Sequence, residues 1–213
     1  MSNQLPQPPT EPRTFKELFD FYHNYVKVLY STVQTENVLP SEVLFELNAA
    51  LDHVSRHWIY GQDESKVVAL AFGHLKRSCL DIFKVAVREA RRQYAELRKI
   101  DTSVIDNGDF DRELHKLFSE IRVGAIDARR LEGDSRKDSD GPIRAFDRWQ
   151  PVYEACLRLE RDFFHHDKID WAKKRFWTRF AWTSIATLVL AFLAGVIGRE
   201  IGPSLVAPLK SLF

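Results

Sequence analysis

Cysteine is nearly missing from this chain of 213 residues, which has only Cys79 and Cys156, each set among residues that read as helix. That scarcity excludes a disulfide scaffold and suits a reducing compartment, with both thiols as small core side chains. A charge excess is missing too: 31 Lys and Arg against 30 Asp and Glu give a formal net charge of +1. Any electrostatic function must therefore be local. Residues 3–10 are polar and proline-rich, not basic and then apolar, so no cleavable leader is expected. No segment alternates apolar and polar residues over a useful strand length, and there is no internal repeat, Gly-rich phosphate loop, Ser-His-Asp order or nucleotide fingerprint. What remains is an all-α protein for which neither a cofactor nor enzymatic activity is expected.

What the chain does have is one long apolar run near its C-terminal end. Residues 180–198 carry no charge, about 19 positions against the roughly 20 that cross a hydrocarbon core of about 30 Å. Lys173, Lys174, Arg175 and Arg179 precede it, mixed with Phe176, Trp177 and Trp182, whereas only Arg199 and Lys210 follow. Positive charge on the near side and an aromatic belt predict a single-pass inner-membrane helix over residues 176–199, with the N-terminal part cytoplasmic and a short tail over residues 200–213 outside. Gly202 and Pro203 are expected to break the helix.

Within the run the small residues fall on one side. Thr183, Ser184, Thr187, Ala191, Ala194, Gly195 and Gly198 lie within an arc of about 120° at about 100° per residue. Lipid tails are as apolar as leucine, so membrane helices associate where small side chains let backbones approach closely. Ser184, Thr187, Ala191, Ala194, Gly195 and Gly198 are thus the expected packing surface for another copy of the chain, making the protein itself and the lipid bilayer its first expected partners. The hydroxyls of Thr183, Ser184 and Thr187 have two competing uses, lining a pore or bonding to their own backbone.

Residues 14–175 form the expected cytosolic helical domain, behind a lead over residues 1–13. Thr14 and Glu17 have the spacing of a capping box and open a helix running to about Gln34. A second helix starts at Pro40 and Ser41, with Val43, Leu44, Leu47, Ala50, Leu51, Val54 and Trp58 as its apolar face up to Gly61. The third spans residues 64–100, with Leu70 on its apolar face, and its length predicts an end that projects or pairs with another subunit. A fourth covers residues 110–130, using Ile126 among its apolar positions, and a solvated loop follows over residues 131–142. The last begins at Arg144 or Pro151 and is expected to run unbroken into the membrane, so that motion in the bundle reaches the span as rotation or tilt.

Three constellations carry candidate chemistry. The third helix ends with Arg88, Arg91, Arg92, Arg98 and Lys99, and the fourth adds Arg122, Arg129 and Arg130, with Tyr94 among them. Guanidinium forks grip phosphates and an aromatic ring stacks on a base, so a nucleotide or oligonucleotide signal is the expected ligand, and the enzyme that makes it a further partner. Glu89, Glu96 and Asp127 are interleaved as on a salt-bridged surface. His53 and His57, four apart beside Asp52, and His74 could begin a metal site, yet no further ligands stand at a recognisable spacing and no metal is expected. Asp52 and His53 could equally pair with Arg77 or Lys76.

The third constellation is Arg161-Asp162-Phe163-Phe164-His165-His166. It is similar to the arginine, polar residue, three residues, histidine pattern of HEPN-type ribonucleases, helical bundles with this motif in a late helix. The resemblance implies Arg161 and His166 as a catalytic pair that meets its counterpart across a dimer to cleave RNA. Residues five apart on a straight helix stand about 140° apart, so convergence needs a helix start or a kink there. In overall plan, a small helical sensor joined to a membrane helix resembles the membrane-disrupting effectors of bacterial anti-phage systems, some of which answer nucleotide or oligonucleotide signals. That resemblance implies a homo-oligomeric effector or ion channel in antiviral defence.

Overall fold

The computed structural model describes residues 11–34, 40–134, 141–164 and 167–206. Among them the chain is all-α. Helix α1 (Phe15–Phe21) passes through a π-helical turn (Tyr22–Val26) into α2 (Lys27–Val33), followed by α3 (Ser41–Tyr60), α4 (Glu64–Leu97), two 3-10 turns (Thr102–Val104 and Asp106–Gly108), α5 (Asp109–Asp134) and α6 (Gly141–Leu159). A second π-helical turn (Glu160–Phe164) precedes α7 (Asp167–Val206).

Local chemistry sets the ends. Thr14 Oγ1 accepts the Glu17 amide at 3.3 Å, the capping bond the spacing announced. Asp63 caps α4 by accepting from the Lys66 amide, and Gly61, at φ +62°, closes α3 in the left-handed conformation that glycine adopts without strain. Pro151 lies inside α6, not at its start, and it sits on the exposed side, where water can satisfy the carbonyl that loses its amide partner.

The core is built around α4. Phe83 packs against Phe146 and Tyr153 of α6, and the Tyr153 hydroxyl shares a short hydrogen bond with Thr32 at the end of α2. Helices α5 and α6 run antiparallel so closely that a Cβ on Gly124 would meet Val152 Cγ2 at 2.6 Å. Arg148 to Asp127 (2.8 Å) and Arg158 to Glu120 (3.1 Å) fix the register on either side of that contact. Cys79 and Cys156 are buried, and burial pushes the Cys156 thiol up to about 12.

Several expectations are corrected. The end of α4 does not project: Ala90, Gln93 and Leu97 are buried, because α5, α6 and the second π turn pack on α4. Leu44, Leu51 and Trp58 do not belong to the buried face of α3, which is Val43, Ala50 and Val54; Leu70 and Ile126 also face outward. The loop is shorter than 131–142, since α5 continues to Asp134 and α6 starts at Gly141; residues 135–140 lie outside the described residues. The last helix is divided into α6, the π turn and α7, with His165 and His166 outside the described residues. Gly202 and Pro203 do not end α7, which reaches Val206. Of the expected lead over residues 1–13 and tail over residues 200–213, residues 1–10 and 207–213 lie outside the described residues, while residues 200–206 belong to α7.

Candidate functional site: the α7 junction and the basic seam

Helix α7 has two unlike parts. Ile169 and Ala172, in its first turns, are buried against the bundle. Lys168 Nζ donates to both carboxylate oxygens of Asp106, at 2.6 and 2.5 Å. Asp106 and Asn107 have φ +48° and +55°, and Gly108 +90°. Three successive left-handed residues are costly for all but Gly, Asn and Asp, which is why the turn falls on this Asp-Asn-Gly run. Lys168 thus ties this left-handed turn to the root of α7.

Beyond Ala172 the helix leaves the bundle. Among the described residues it alone is long and apolar enough to cross a membrane, over Asp167–Gly195, and none of its most apolar window is buried. Phe180, Trp182, Ile185, Leu188, Val189, Leu190, Phe192 and Leu193 are 48–71% exposed, so the bundle does not cover them. Thr183 Oγ1 donates to the Phe180 carbonyl (2.9 Å) and Thr187 Oγ1 to the Thr183 carbonyl (2.8 Å), so both hydroxyls bond their own backbone. A Cβ on Gly195 would meet nothing within 4 Å, so that surface has no partner within the chain. Ser184, Ala191 and Ala194 lie along the same helix, as does Gly198.

A cleft of about 440 Å³ opens at the junction, with Leu97, Ile100, Phe164 and Ile169 as its apolar lining and Glu96, Lys99, Asp167, Asp170 and Lys173 around them. Lys99 pairs with Glu96 at 2.7 Å and Lys173 with Asp170 at 3.6 Å.

The structure divides the basic cluster into paired and unpaired cations. Tyr94 stacks on Phe118 with ring centres 3.7 Å apart and bonds His115 Nδ1 at 2.5 Å, while Lys84 reaches Glu132 at 2.7 Å. These two contacts set α4 against α5 as an antiparallel pair. At helical spacing, Arg91 lies between Lys84 and Tyr94 on α4, and Arg122 and Arg129 lie between Phe118 and Glu132 on α5, all along the outer rim of the seam. Arg91, Arg122 and Arg129 are exposed, and no ion pair holds them among the described residues. Arg130 is likewise exposed and without an ion pair among the described residues, and the remaining cations are engaged. Arg92 donates to Glu89 at 2.8 and 2.6 Å, which holds that carboxyl below its usual range. Arg88 stands 3.8 Å from Glu42, and Arg98 bonds His115 at 3.1 Å. Of the first-choice set Arg88, Arg91 and Arg92, only Arg91 is thus unpaired.

The remaining constellations resolve into structural contacts. Arg161 lies in the second π turn and forks onto Asp162 at 2.6 and 3.0 Å, so its guanidinium is occupied; His166 is outside the described residues. His53 stacks on His74 with ring centres 5.0 Å apart, and His74 Nδ1 lies 2.7 Å from Glu46. Asp52 pairs with Arg56 and Arg77 with Glu46, so neither makes the expected α3–α4 pairing of Asp52 or His53 with Arg77. Enclosure lowers the His53 pKa, with His74 adding to it, and its Nδ1 is buried and unpartnered. No group of three or more metal-binding side chains converges among the described residues.

Sequence reasoning missed the Lys168–Asp106 tie because its partners are 62 residues apart; the one local signal was Asp106-Asn107-Gly108, a run suited to left-handed turns. Against described protein families, curated proteins and solved structures, the chain has no match.

Proposed function

We propose that the chain is a non-enzymatic, homo-oligomeric membrane protein with one span, whose helical domain sits on the cytoplasmic side of a bacterial inner membrane and controls how copies of α7 assemble. In this scheme α7 is the effector, disrupting the bilayer or forming a channel in antiviral defence. The observation that carries it is an apolar helix left bare by the bundle yet rooted in it through Ile169, Ala172 and Lys168. A passive tether would have a flexible linker here.

The input is assigned to the α4–α5 seam. Arg91, Arg122 and Arg129 present unpaired guanidinium groups, suited to the phosphates of a nucleotide or oligonucleotide made by a partner enzyme. Lys84–Glu132 and Tyr94–Phe118 join the two helices on either side of them, and α5 leads back through the Asp106 turn to Lys168. A ligand drawing α4 and α5 together would thus act on the root of α7. The packing stripe is Ser184, Thr187, Ala191, Ala194, Gly195 and Gly198.

Induced expression in bacteria with a membrane-potential dye tests the scheme. Depolarisation is expected, lost on Gly195→Leu and weakened by Arg91→Glu combined with Arg122→Glu. RNA loss without depolarisation, abolished by His166→Ala, would replace the scheme with a HEPN-like ribonuclease. Stable expression with neither effect would leave a membrane-anchored scaffold.

A further inference from the structure

The junction cleft takes no part in the scheme above. At about 440 Å³ it has the size of a small-molecule site, and it is built like one, with an apolar floor of Leu97, Ile100, Phe164 and Ile169 inside a charged rim. Its walls come from the end of α4 and the root of α7, with the second π turn between them. A π turn adds a residue to the helical repeat, and such turns recur at functional sites. Here it sends neighbouring aromatic residues to different places, Phe163 against Phe110 of α5 at 5.1 Å and Phe164 to the cleft.

The rim selects by charge. Lys99 is held by Glu96 at 2.7 Å and Lys173 by Asp170 at 3.6 Å, so four of the five rim charges cancel in pairs. The fifth, Asp167, is exposed and has no hydrogen bond or ion pair among the described residues. The negative C-terminal end of α4 and the positive N-terminal end of α7 both border the cleft and offset each other. The Asp167 carboxylate is therefore the uncompensated charge, and it favours a cation, as does the aromatic ring of Phe164.

Position sets the source. Lys173 on the rim stands seven residues before Phe180, where the uncharged run begins, and Ile169 on the floor eleven, up to about 10 and 16 Å along the helix axis. Headgroups extend only about 5–8 Å beyond the hydrocarbon core. With α7 crossing the bilayer, a lipid headgroup stops short of the floor, and a soluble molecule does not.

We propose that the junction cleft binds a small soluble organic cation, an ammonium group on a short apolar body, held by the Asp167 carboxylate over Leu97, Ile100, Phe164 and Ile169. Bound there, it bridges the end of α4 to the root of α7, a second input to the joint with a charge preference opposite to that of the arginine seam. Only the soluble source rests on the membrane reading; the charge preference does not.

Equilibrium dialysis of radiolabelled hexylammonium against the full chain in nonionic detergent tests this, with hexanol and hexanoate as neutral and anionic probes of matching body. Hexylammonium should bind above empty micelles, and the other two should not. Asp167→Asn should weaken binding about fivefold. Lys99→Gln, which frees Glu96, should tighten it about twofold, a gain that damage to the fold would not give. Glu113→Gln, at an exposed carboxylate of α5, should change nothing. No binding of hexylammonium, equal binding of the three probes, or a loss no larger at Asp167→Asn than at Glu113→Gln would each overturn the proposal. In phosphatidylglycerol nanodiscs, binding above empty discs should be the same with or without added phosphatidylethanolamine. Loss of the label only when that lipid is present would give the cleft to a headgroup ammonium and overturn the soluble ligand. A chain that proves soluble and still binds hexylammonium would remove the membrane reading and leave the cleft standing.

Discussion

The two longest helices, α4 with 34 residues and α7 with 40, use similar lengths of chain for opposite purposes. Helix α4 is amphipathic: Val67, Ala71, Leu75, Phe83, Ala90 and Leu97 are buried along one side, and Arg77, Arg88, Arg91 and Arg98 line the other. Helix α7 beyond Ala172 shows no such division over residues 180–193, whose large apolar side chains are exposed. One helix draws its stability from neighbours within the domain; the other has no such neighbours in the chain, as a proposed membrane span requires. Length alone does not separate the two cases. What separates them is whether a polar face exists.

That contrast can be broken by mutation, and the largest effect is expected in α4. Phe83→Ala should cost about 3–5 kcal/mol in thermal or denaturant unfolding of the detergent-solubilised chain, because it opens a cavity against Phe146 and Tyr153. Leu188→Ala, a comparable truncation in α7, should leave unfolding of the bundle unchanged within about 0.5 kcal/mol. Gly124→Ala tests tight packing: with Val152 Cγ2 at 2.6 Å from the new Cβ, a loss of about 1–3 kcal/mol is expected. Gly195→Ala, with nothing within 4 Å, should leave stability alone and weaken only association between copies.

Lys168→Ala sharpens the contrast at the joint. Both charges are about half exposed, so the ion pair is worth only about 0–1 kcal/mol to stability. Depolarisation should nevertheless fall, since the tie between the Asp106 turn and α7 is lost. Unaltered depolarisation would assign the coupling to Ile169 and Ala172 alone.

The smallest effect concerns pH. His53 has its pKa lowered on folding, so the unfolded chain binds the extra proton first, and stability falls as pH drops through the ordinary histidine range. Its surroundings are His74, Asp52, Arg56 and Arg77. Unfolding midpoints of His53→Gln should vary less with pH between about 7 and 5 than those of the native chain.

Much of the fold was legible from spacing. The capping pair Thr14 and Glu17, the left-handed stop at Gly61 and the uncharged run of α7 each obey a local rule, and local rules are written in neighbouring residues. Faces were harder. Leu44, Leu51 and Trp58 satisfy helical periodicity as well as Val43 and Val54 do, and only tertiary packing tells which of two apolar stripes is covered. The basic cluster was visible as composition, but its free members were not. Which guanidinium finds a carboxylate depends on rotamers and on the neighbouring helix, as when Arg92 folds back onto Glu89 and Arg91 does not. The π turns left no distinct mark, because one added residue per turn still permits an apolar face.

The central claim is that α7 crosses a bilayer. Alkaline carbonate extraction of cell membranes, followed by protease treatment of inverted inner-membrane vesicles, addresses it directly. The expected result is full-length chain retained in the pellet, with the helical domain digested and a fragment covering residues 176–199 protected. Recovery of the intact chain in the soluble fraction as a monomer would contradict it.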